Sequence, residues 1–279
     1  MSAAVFFAVL FAALLHAGWN AVVKLGLDRF SSILVLALFQ SAIAVVLLPL
    51  FQWPAAAAWP WLLTGSALHT GYKLFLIRAY RHGELSQVYP LARGAAPMLV
   101  ALAGAVLLGE LPNLAGTAAI LAIVTGILVM AFAGGAAVRL SRTALVWALG
   151  TACFTAAYTM VDGYGARLAG TAAGFSLWLF LIDGALMIAV AFATRGRAGF
   201  AALRAAWRGG LAAGAMSLGS YWIAIWAFTQ APLALVAALR ETSILFALLI
   251  GVVLLKERVG PRRWAAAGLI VAGMLLMRV

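Results

Sequence analysis

Apolar segments of about twenty residues follow one another along nearly the whole chain, from Ala3 to Met277, with short polar connections between them. A helix of that length crosses the hydrocarbon core of a bilayer, which is about 30 Å thick. Hydrophobic residues make up 66% of the chain and charged residues 9%, whereas an ordinary soluble domain contains roughly 25% charged residues. The sequence therefore predicts an all-α polytopic membrane protein with too little chain left for a soluble domain.

These segments predict ten transmembrane helices. The first is expected to be a retained helix rather than a signal peptide, because it lacks a basic leading region and a small-residue cleavage site. An even number of spans places both termini on the same side of the membrane. The predicted helices are 3–23, 33–52, 59–80, 87–109, 114–133, 143–164, 172–194, 208–230, 233–255 and 262–277.

Basic residues are distributed unevenly between the two sides of this topology. The side that holds the termini has two, Arg167 and Arg278, and the opposite side has fourteen. Because cytoplasmic loops are enriched in Lys and Arg, both termini are predicted to be periplasmic, in a bacterial inner membrane. The net charge of +12 is therefore a topology signal and does not indicate a nucleic-acid partner. The fourteen residues are Lys24, Arg29, Arg78, Arg81, Arg139, Arg142, Arg195, Arg197, Arg204, Arg208, Lys256, Arg258, Arg262 and Arg263.

The two halves of the chain resemble each other. When 147 is added to the numbers of residues 88–110, Arg93 pairs with Arg240 and Glu110 pairs with Glu257. Chance matches between Leu- and Ala-rich helices are common, but paired charges are not. The sequence predicts two five-helix repeats, residues 1–137 and 138–279. Because five is odd, the second repeat enters the membrane in the opposite direction, as in secondary transporters that work by alternating access.

Three short stretches carry a resemblance to a known family: HAGWNAVVK (16–24), GELPN (109–113) and KERVG (256–260). With the five-plus-five arrangement, they resemble the EamA-type family of the drug/metabolite transporter superfamily. The resemblance implies a ten-helix carrier with a central cavity lined mainly by helices 1, 3, 4, 6, 8 and 9. Bacterial members of that family include amino-acid and metabolite exporters, but these stretches do not specify a substrate.

Two arginines inside predicted helices are the strongest candidates for site residues. A charge at the centre of a membrane helix is costly, so Arg93 and Arg240 indicate a function such as anion binding or gating. The structural alternative is that carbonyl groups and an acid, such as Glu241, satisfy each arginine. Pro90 and Pro97 flank Arg93, and a kinked or unwound helix is expected there because proline lacks a backbone donor.

Polar and aromatic side chains at helical spacing complete the candidate substrate site. Such stripes either line a cavity or pack helices together, and both explanations remain open. Of the embedded acids, Asp162 is expected near the outer interface and Asp183 at the periphery. The candidates are Trp19 and Asn20 on helix 1, His69, Tyr72, Lys73 and Tyr80 on helix 3, Tyr158 on helix 6, Ser217, Tyr221 and Trp222 on helix 8, and Arg93, Arg240 and Glu241 on helices 4 and 9.

The sequence contains no catalytic motif, and the single cysteine, Cys153, excludes a disulfide framework. No cofactor or metal is expected, and the partners are the bilayer and a small solute, with the protein as a monomer. Three embedded basic residues balance three acidic ones, which favours a zwitterion, so export of amino acids, with large or aromatic ones among them, is the preferred function. A carrier of a phosphorylated or phosphonate anion and a multidrug exporter are the alternatives; a channel or a membrane enzyme is less favoured.

Overall fold

The structure is a computed structural model that describes residues 1–23, 28–82, 85–132, 141–253, 256 and 259–278. The described residues form helices and contain no strand. Lys24, Arg139, Glu257 and Arg258, which entered the charge count and the repeat alignment, lie outside the described residues. The helices are α1 (Ala3–Val23), α2 (Arg29–Leu47), α3 (Trp59–His82), α4 (Leu85–Leu108), α5 (Leu114–Phe132), α6 (Arg142–Leu168), α7 (Ala172–Arg195), α8 (Ala202–Gln230), α9 (Leu233–Arg240), α10 (Ser243–Val253) and α11 (Pro261–Leu276).

Within the described residues, seven helical segments are long and apolar enough to cross a membrane, so the chain is a multi-pass membrane protein. The apolar segment described in α5, Leu114–Met130, is shorter than these. Ten spans therefore remain a prediction. The seven segments are Ala3–Val22, Arg29–Leu50, Leu91–Leu108, Arg142–Leu168, Ala172–Phe200, Ala202–Gln230 and Leu233–Val253.

The outer surface is strongly apolar. Large hydrophobic side chains are exposed along several helices, for example Phe7 at 63%, Val46 at 73%, Leu102 at 64% and Val106 at 73%. A soluble monomer rarely exposes contiguous apolar patches of more than a few hundred Å². Side chains of this kind are the ones expected to face lipid.

Two helices that carry the site differ from what the sequence predicted. The predicted helix 233–255 is two helices, because the backbone makes tight turns at Glu241 and Thr242 and the Thr242 hydroxyl donates to the Leu239 carbonyl at 2.7 Å. The unwinding expected around Arg93 is absent, since α4 is continuous from Leu85 to Leu108. The break therefore follows Arg240 rather than Arg93.

Short polar side chains and glycines set the helix ends. Asp28 caps α2 by accepting from Phe30 N at 3.1 Å, and Ser141 caps α6 by accepting from Ala144 N at 3.1 Å. These bonds satisfy amides that have no partner within the helix. After α4 the chain turns at Gly109, whose φ of 67° is readily adopted by glycine.

The helices pack in a reciprocal pattern. In the first set of contacts α1 packs against α8, and α3 packs against α6. In the second set α2 packs against α7, and α5 packs against α11. If α9 and α10 are counted as one helix, the first five helices correspond in order to the last five. Under this correspondence the contact of α1 with α8 becomes the contact of α6 with α3, and each contact of the second set becomes itself. Buried side chains of α3, α4, α6, α8 and α9 meet at the centre of this arrangement.

Candidate functional site

A cavity of about 70 Å³ lies between the helices at the centre of the protein. Nine of the thirteen candidate site residues line it, and they come from six helices. These nine are Trp19, His69, Tyr72, Lys73, Arg93, Tyr158, Ser217, Tyr221 and Arg240.

The other four candidates lie elsewhere. The Asn20 amide donates to the carbonyl of His16 in its own helix at 2.8 Å, and the Trp222 ring packs edge-on against Phe51. Tyr80 lies under the guanidinium of Arg29 with a distance of 5.5 Å to the ring centroid. Glu241 lines a smaller neighbouring cavity that also includes Arg93 and Arg240.

Behind one wall of the cavity lies a carboxylate that is held by residues of two other helices. Asp162, on α6, is fully buried. Its Oδ2 atom accepts a hydrogen bond of 2.6 Å from the Tyr221 hydroxyl of α8 and lies 2.7 Å from Nε2 of His69 of α3. The His69 ring stacks on Tyr158 with a centroid distance of 4.0 Å. Asp162 is therefore part of the central site, and its expected place at the outer interface is wrong.

A second buried carboxylate joins α3 to α7. Asp183 forms an ion pair with Lys73 and accepts a hydrogen bond of 3.0 Å from the Thr70 hydroxyl. The side chain of Lys73 is 9% exposed and that of Asp183 is 1% exposed. The expected peripheral position of Asp183 is therefore also wrong, because this residue neutralises a lysine of the cavity wall.

The two arginines have different surroundings. Arg93 Nε lies 2.7 Å from Glu241 Oε2, which links α4 to the turn after α9. Arg240 instead lies over the ring of Tyr221, with Cζ 4.9 Å from the ring centroid. Among the described residues, no carboxylate lies within 4.0 Å of the Arg240 guanidinium. One arginine is thus paired with an acid, and the other presents its charge to the cavity over an aromatic face.

Several lining residues were not among the sequence candidates. Gln40 of α2 donates to the Ser217 hydroxyl at 2.9 Å, and the Ser220 hydroxyl donates to the Ala12 carbonyl at 2.7 Å. His16 and Phe180 also line the cavity. An amide inside the apolar α2 was the available signal for Gln40, because a polar group in a membrane helix must find a partner. Phe180 had no such signal, since apolar residues surround it in the sequence.

The site combines cations, hydroxyls and aromatic rings in a confined space. Among the described residues that line the cavity, none is acidic, whereas five are Arg, Lys or His. The acids lie just behind the wall and partner the wall residues. This arrangement can bind an anionic group of a small solute and contact an apolar side chain. The five basic or histidine residues are His16, His69, Lys73, Arg93 and Arg240.

Comparisons with known proteins agree with this architecture. The sequence model described as the EamA-like transporter family matches residues 142–279. A crystal structure described only as that of a protein superimposes with a TM-score of 0.77 and 18% sequence identity, covering 98% of this chain and 94% of that one. At this identity the likeness shows the fold alone. No curated protein matches the chain.

The matched segment contains α6 to α11, which supply Tyr158, Asp162, Tyr221 and Arg240 to the central site. The family is described as one of transporters, and the chain has the apolar helices of a multi-pass membrane protein. Through residues 142–279, the chain belongs to the EamA-like transporter family, part of the drug/metabolite transporter superfamily.

Proposed function

We propose that the chain is a secondary carrier that binds small organic solutes by the carboxylate of the solute. Amino acids, including large or aromatic ones, are its preferred substrates. The observation that carries this proposal is Arg240, which lines the cavity with no described carboxylate within 4.0 Å. A guanidinium binds a carboxylate through two parallel hydrogen bonds. A solute carboxylate is therefore the partner that this cation lacks.

The other embedded cations favour a carboxylate over a phosphorylated solute. Lys73 is paired with Asp183, and Arg93 is paired with Glu241. A dianionic phosphate would need more than one cation without an acidic partner. The aromatic walls contributed by Trp19, Tyr72, Tyr158 and Phe180 offer an apolar surface to a substrate side chain.

We also propose alternating access between two inverted five-helix units, in a monomer of the bacterial inner membrane. The reciprocal packing of α1 with α8 and of α3 with α6 supports this mechanism, because two related units can exchange conformations around one central site. Export is the preferred direction, and it rests on the resemblance to exporters rather than on the cavity.

Flux measurements in liposomes test the proposed substrate class. The purified chain is reconstituted, and vesicles are loaded with labelled L-phenylalanine or labelled glycerol phosphate. We expect saturable, protein-dependent flux of phenylalanine and none of glycerol phosphate. In Arg240→Gln the phenylalanine flux at low concentration should fall by roughly tenfold or more, since hydrogen bonds to charged groups contribute about 1.5–3 kcal/mol.

A matched control is available outside the cavity. His82 is exposed at the end of α3 and contacts the Arg78 carbonyl of its own helix, so His82→Gln should transport normally. Saturable flux of glycerol phosphate without any amino-acid flux would reject the amino-acid proposal. Normal phenylalanine flux in Arg240→Gln would reject the assigned role of Arg240. Linear flux without saturation would favour a channel.

A further inference from the structure

The carboxylate of Asp162 is closely confined by residues of α3 and α8. Its Oδ1 atom has no hydrogen-bond partner among the described residues. That atom lies against Gly65 of α3, where an added Cβ would be only 2.1 Å away. Among the described residues, His69 is the one group within 4.0 Å of Asp162 that can carry a positive charge. A buried carboxylate without a cation is costly, so the charge state of His69 decides how well Asp162 is compensated.

His69 connects this carboxylate to the cavity. Its ring lines the cavity on one side, while Nε2 lies 2.7 Å from Asp162 Oδ2 on the other. Histidine is the side chain that exchanges a proton near neutral pH. A proton on His69 makes the His69–Asp162 pair neutral, and its loss leaves one negative charge behind the cavity wall.

The remaining charged groups around the pair are mostly neutralised. Lys73 of α3 is paired with Asp183 of α7, and Arg93 of α4 is paired with Glu241. Arg240 of α9 is the exception, because no described carboxylate lies within 4.0 Å of its guanidinium. The titratable and charged groups around the pair and its cavity are His16 of α1, Tyr72 and Lys73 of α3, Arg93 of α4, Tyr158 of α6, Asp183 of α7, Tyr221 of α8, Arg240 of α9 and Glu241 after α9.

Tyr221 joins the pair to Arg240. Its hydroxyl donates to Asp162 Oδ2 at 2.6 Å, and its ring lies 4.9 Å below the Arg240 guanidinium. In the empty cavity with neutral His69, the negative charge of Asp162 balances the positive charge of Arg240 across this ring. When a solute carboxylate binds Arg240, that balance is lost and Asp162 requires another positive charge.

We propose that His69 and Asp162 form a proton-binding site, and that a proton binds there together with a solute carboxylate at Arg240. This inference rests on the proposed carboxylate function of Arg240. Linkage makes the effect reciprocal, so the proton strengthens solute binding as much as the solute strengthens proton binding. The loaded cavity is then neutral, which lowers the cost of moving the site across the membrane.

The stoichiometry follows from this charge balance. One proton moves with each monocarboxylate in the same direction, and the outward gradient of the solute drives its export. A zwitterion brings its own ammonium group, so it needs the proton less. We therefore expect proton linkage to be stronger for hydrocinnamate, which is phenylalanine without its amine, than for phenylalanine.

Nuclear magnetic resonance of the purified carrier with ¹³C-labelled histidine tests the proton site directly. The chain has three histidines, His16, His69 and His82, so single His→Gln variants assign the signals. We expect the His69 signal to titrate, and to become more protonated when hydrocinnamate is added at constant pH. The exposed His82 should not respond to hydrocinnamate. In Asp162→Asn the response of His69 should disappear.

Binding of hydrocinnamate at several pH values measures the coupling. In the wild-type protein the Kd should rise about tenfold per pH unit on the alkaline side of the His69 titration, because one proton is linked to one solute. In His69→Gln the Kd should be independent of pH, although glutamine can still donate to Asp162. Tyr221→Phe keeps the ring under Arg240 but removes the hydroxyl, so it should bind hydrocinnamate with a weaker pH dependence.

These measurements separate the two proposals. A His69 signal that takes up no proton between about pH 4 and pH 9 overturns the proton site, whatever the solute does. A pH-dependent Kd that persists in folded His69→Gln overturns it as well. If His69 titrates but no carboxylate binds the wild-type protein, the proposed function fails, while the proton site is supported and its linkage to a solute is rejected.

Discussion

Gly126 of α5 and Gly273 of α11 occupy reciprocal positions where these two helices cross. A Cβ on Gly126 would lie 2.5 Å from Ile270 Cγ1 and 2.9 Å from the Ala266 carbonyl oxygen. On the other side, a Cβ on Gly273 would meet the carbonyl oxygen of Ala119 at 2.8 Å. Adding 147 to 119 and to 126 gives 266 and 273, so the contact is the one that two symmetry-related repeats would make. This relation supports the proposed inverted repeat.

Replacing either glycine should therefore weaken the crossing of α5 and α11. We expect Gly126→Ala and Gly273→Ala each to destabilise the protein by about 1–3 kcal/mol, since backbone carbonyls cannot move aside easily. The control is Gly268→Ala on α11, where an added Cβ meets nothing within 4 Å. Thermal unfolding in detergent measures all three, and a loss confined to one of the two crossing glycines would contradict the reciprocal contact.

The ion pair between Arg93 and Glu241 predicts an asymmetry between the two arginines. Arg93→Gln leaves Glu241 buried without its cation, which should cost about 3–5 kcal/mol of stability. Adding Glu241→Gln should restore most of that loss, because the unpaired charge is removed. Arg240→Gln should lower solute binding and cost less stability. The unfolding temperatures of the wild-type protein, Arg93→Gln, the double variant and Arg240→Gln test this. A double variant that is no more stable than Arg93→Gln would show that Arg93 has another essential role.

The contacts of Glu110, just after α4, predict that its side chain contributes to the stability of the protein. One of its oxygens accepts a hydrogen bond from Leu233 N at 2.9 Å at the start of α9, and the other forms an ion pair with Arg167. Arg167 in turn donates to the Phe228 carbonyl at 2.9 Å. Glu110→Ala should cost about 1–2 kcal/mol through the lost cap and ion pair. Glu110→Gln keeps an acceptor for Leu233 N and should cost less, so equal losses would argue against capping.

The contact between Asp28 and Arg195 predicts a small dependence of stability on pH. A hydrogen bond from Arg195 lowers the pKa of Asp28 to about 2, and a distance of 3.0 Å joins Arg195 Nη2 to Asp28 Oδ1. Since the pKa in the folded protein is below its ordinary value, the contribution is present above about pH 4 and is lost as the pH falls towards 2. The side chain of Asp28 is 54% exposed and that of Arg195 is 32% exposed, so solvent screens the pair and its contribution amounts to about 1 kcal/mol at most.

Asp28→Asn provides the measurement. Its unfolding temperature should be slightly below that of the wild-type protein near neutral pH, and the difference should shrink under acidic conditions. A difference that grows on acidification would show that Asp28 acts in some other way.

The distribution of basic residues predicts that the C-terminus is periplasmic. A reporter that is active only in the periplasm, fused after Val279, should be active, because fourteen basic residues lie on the opposite side of the predicted topology. A reporter that is active only in the cytoplasm serves as the reverse control. Activity of that second reporter alone would overturn the predicted orientation.

The amino-acid sequence determined the class of the protein. Apolar segments long enough to span a bilayer predicted an all-helical membrane protein, and the short stretches around Trp19, Glu110 and Glu257 indicated the family. It also identified most of the polar residues that line the cavity, because an embedded polar side chain in an apolar helix is conspicuous and must face inwards.

Only the tertiary structure decided which charges compensate each other. The sequence placed Arg93 and Arg240 at equivalent positions, yet Glu241 pairs with Arg93, while Arg240 lies over Tyr221. The sequence predicted Asp162 near the outer interface, whereas the packing of α3, α6 and α8 brings His69 and Tyr221 to it. Partners that lie tens of residues apart in the sequence meet through the packing of helices. Helical periodicity describes one helix at a time, so the periodicity carries no information about the angle or depth at which two helices cross.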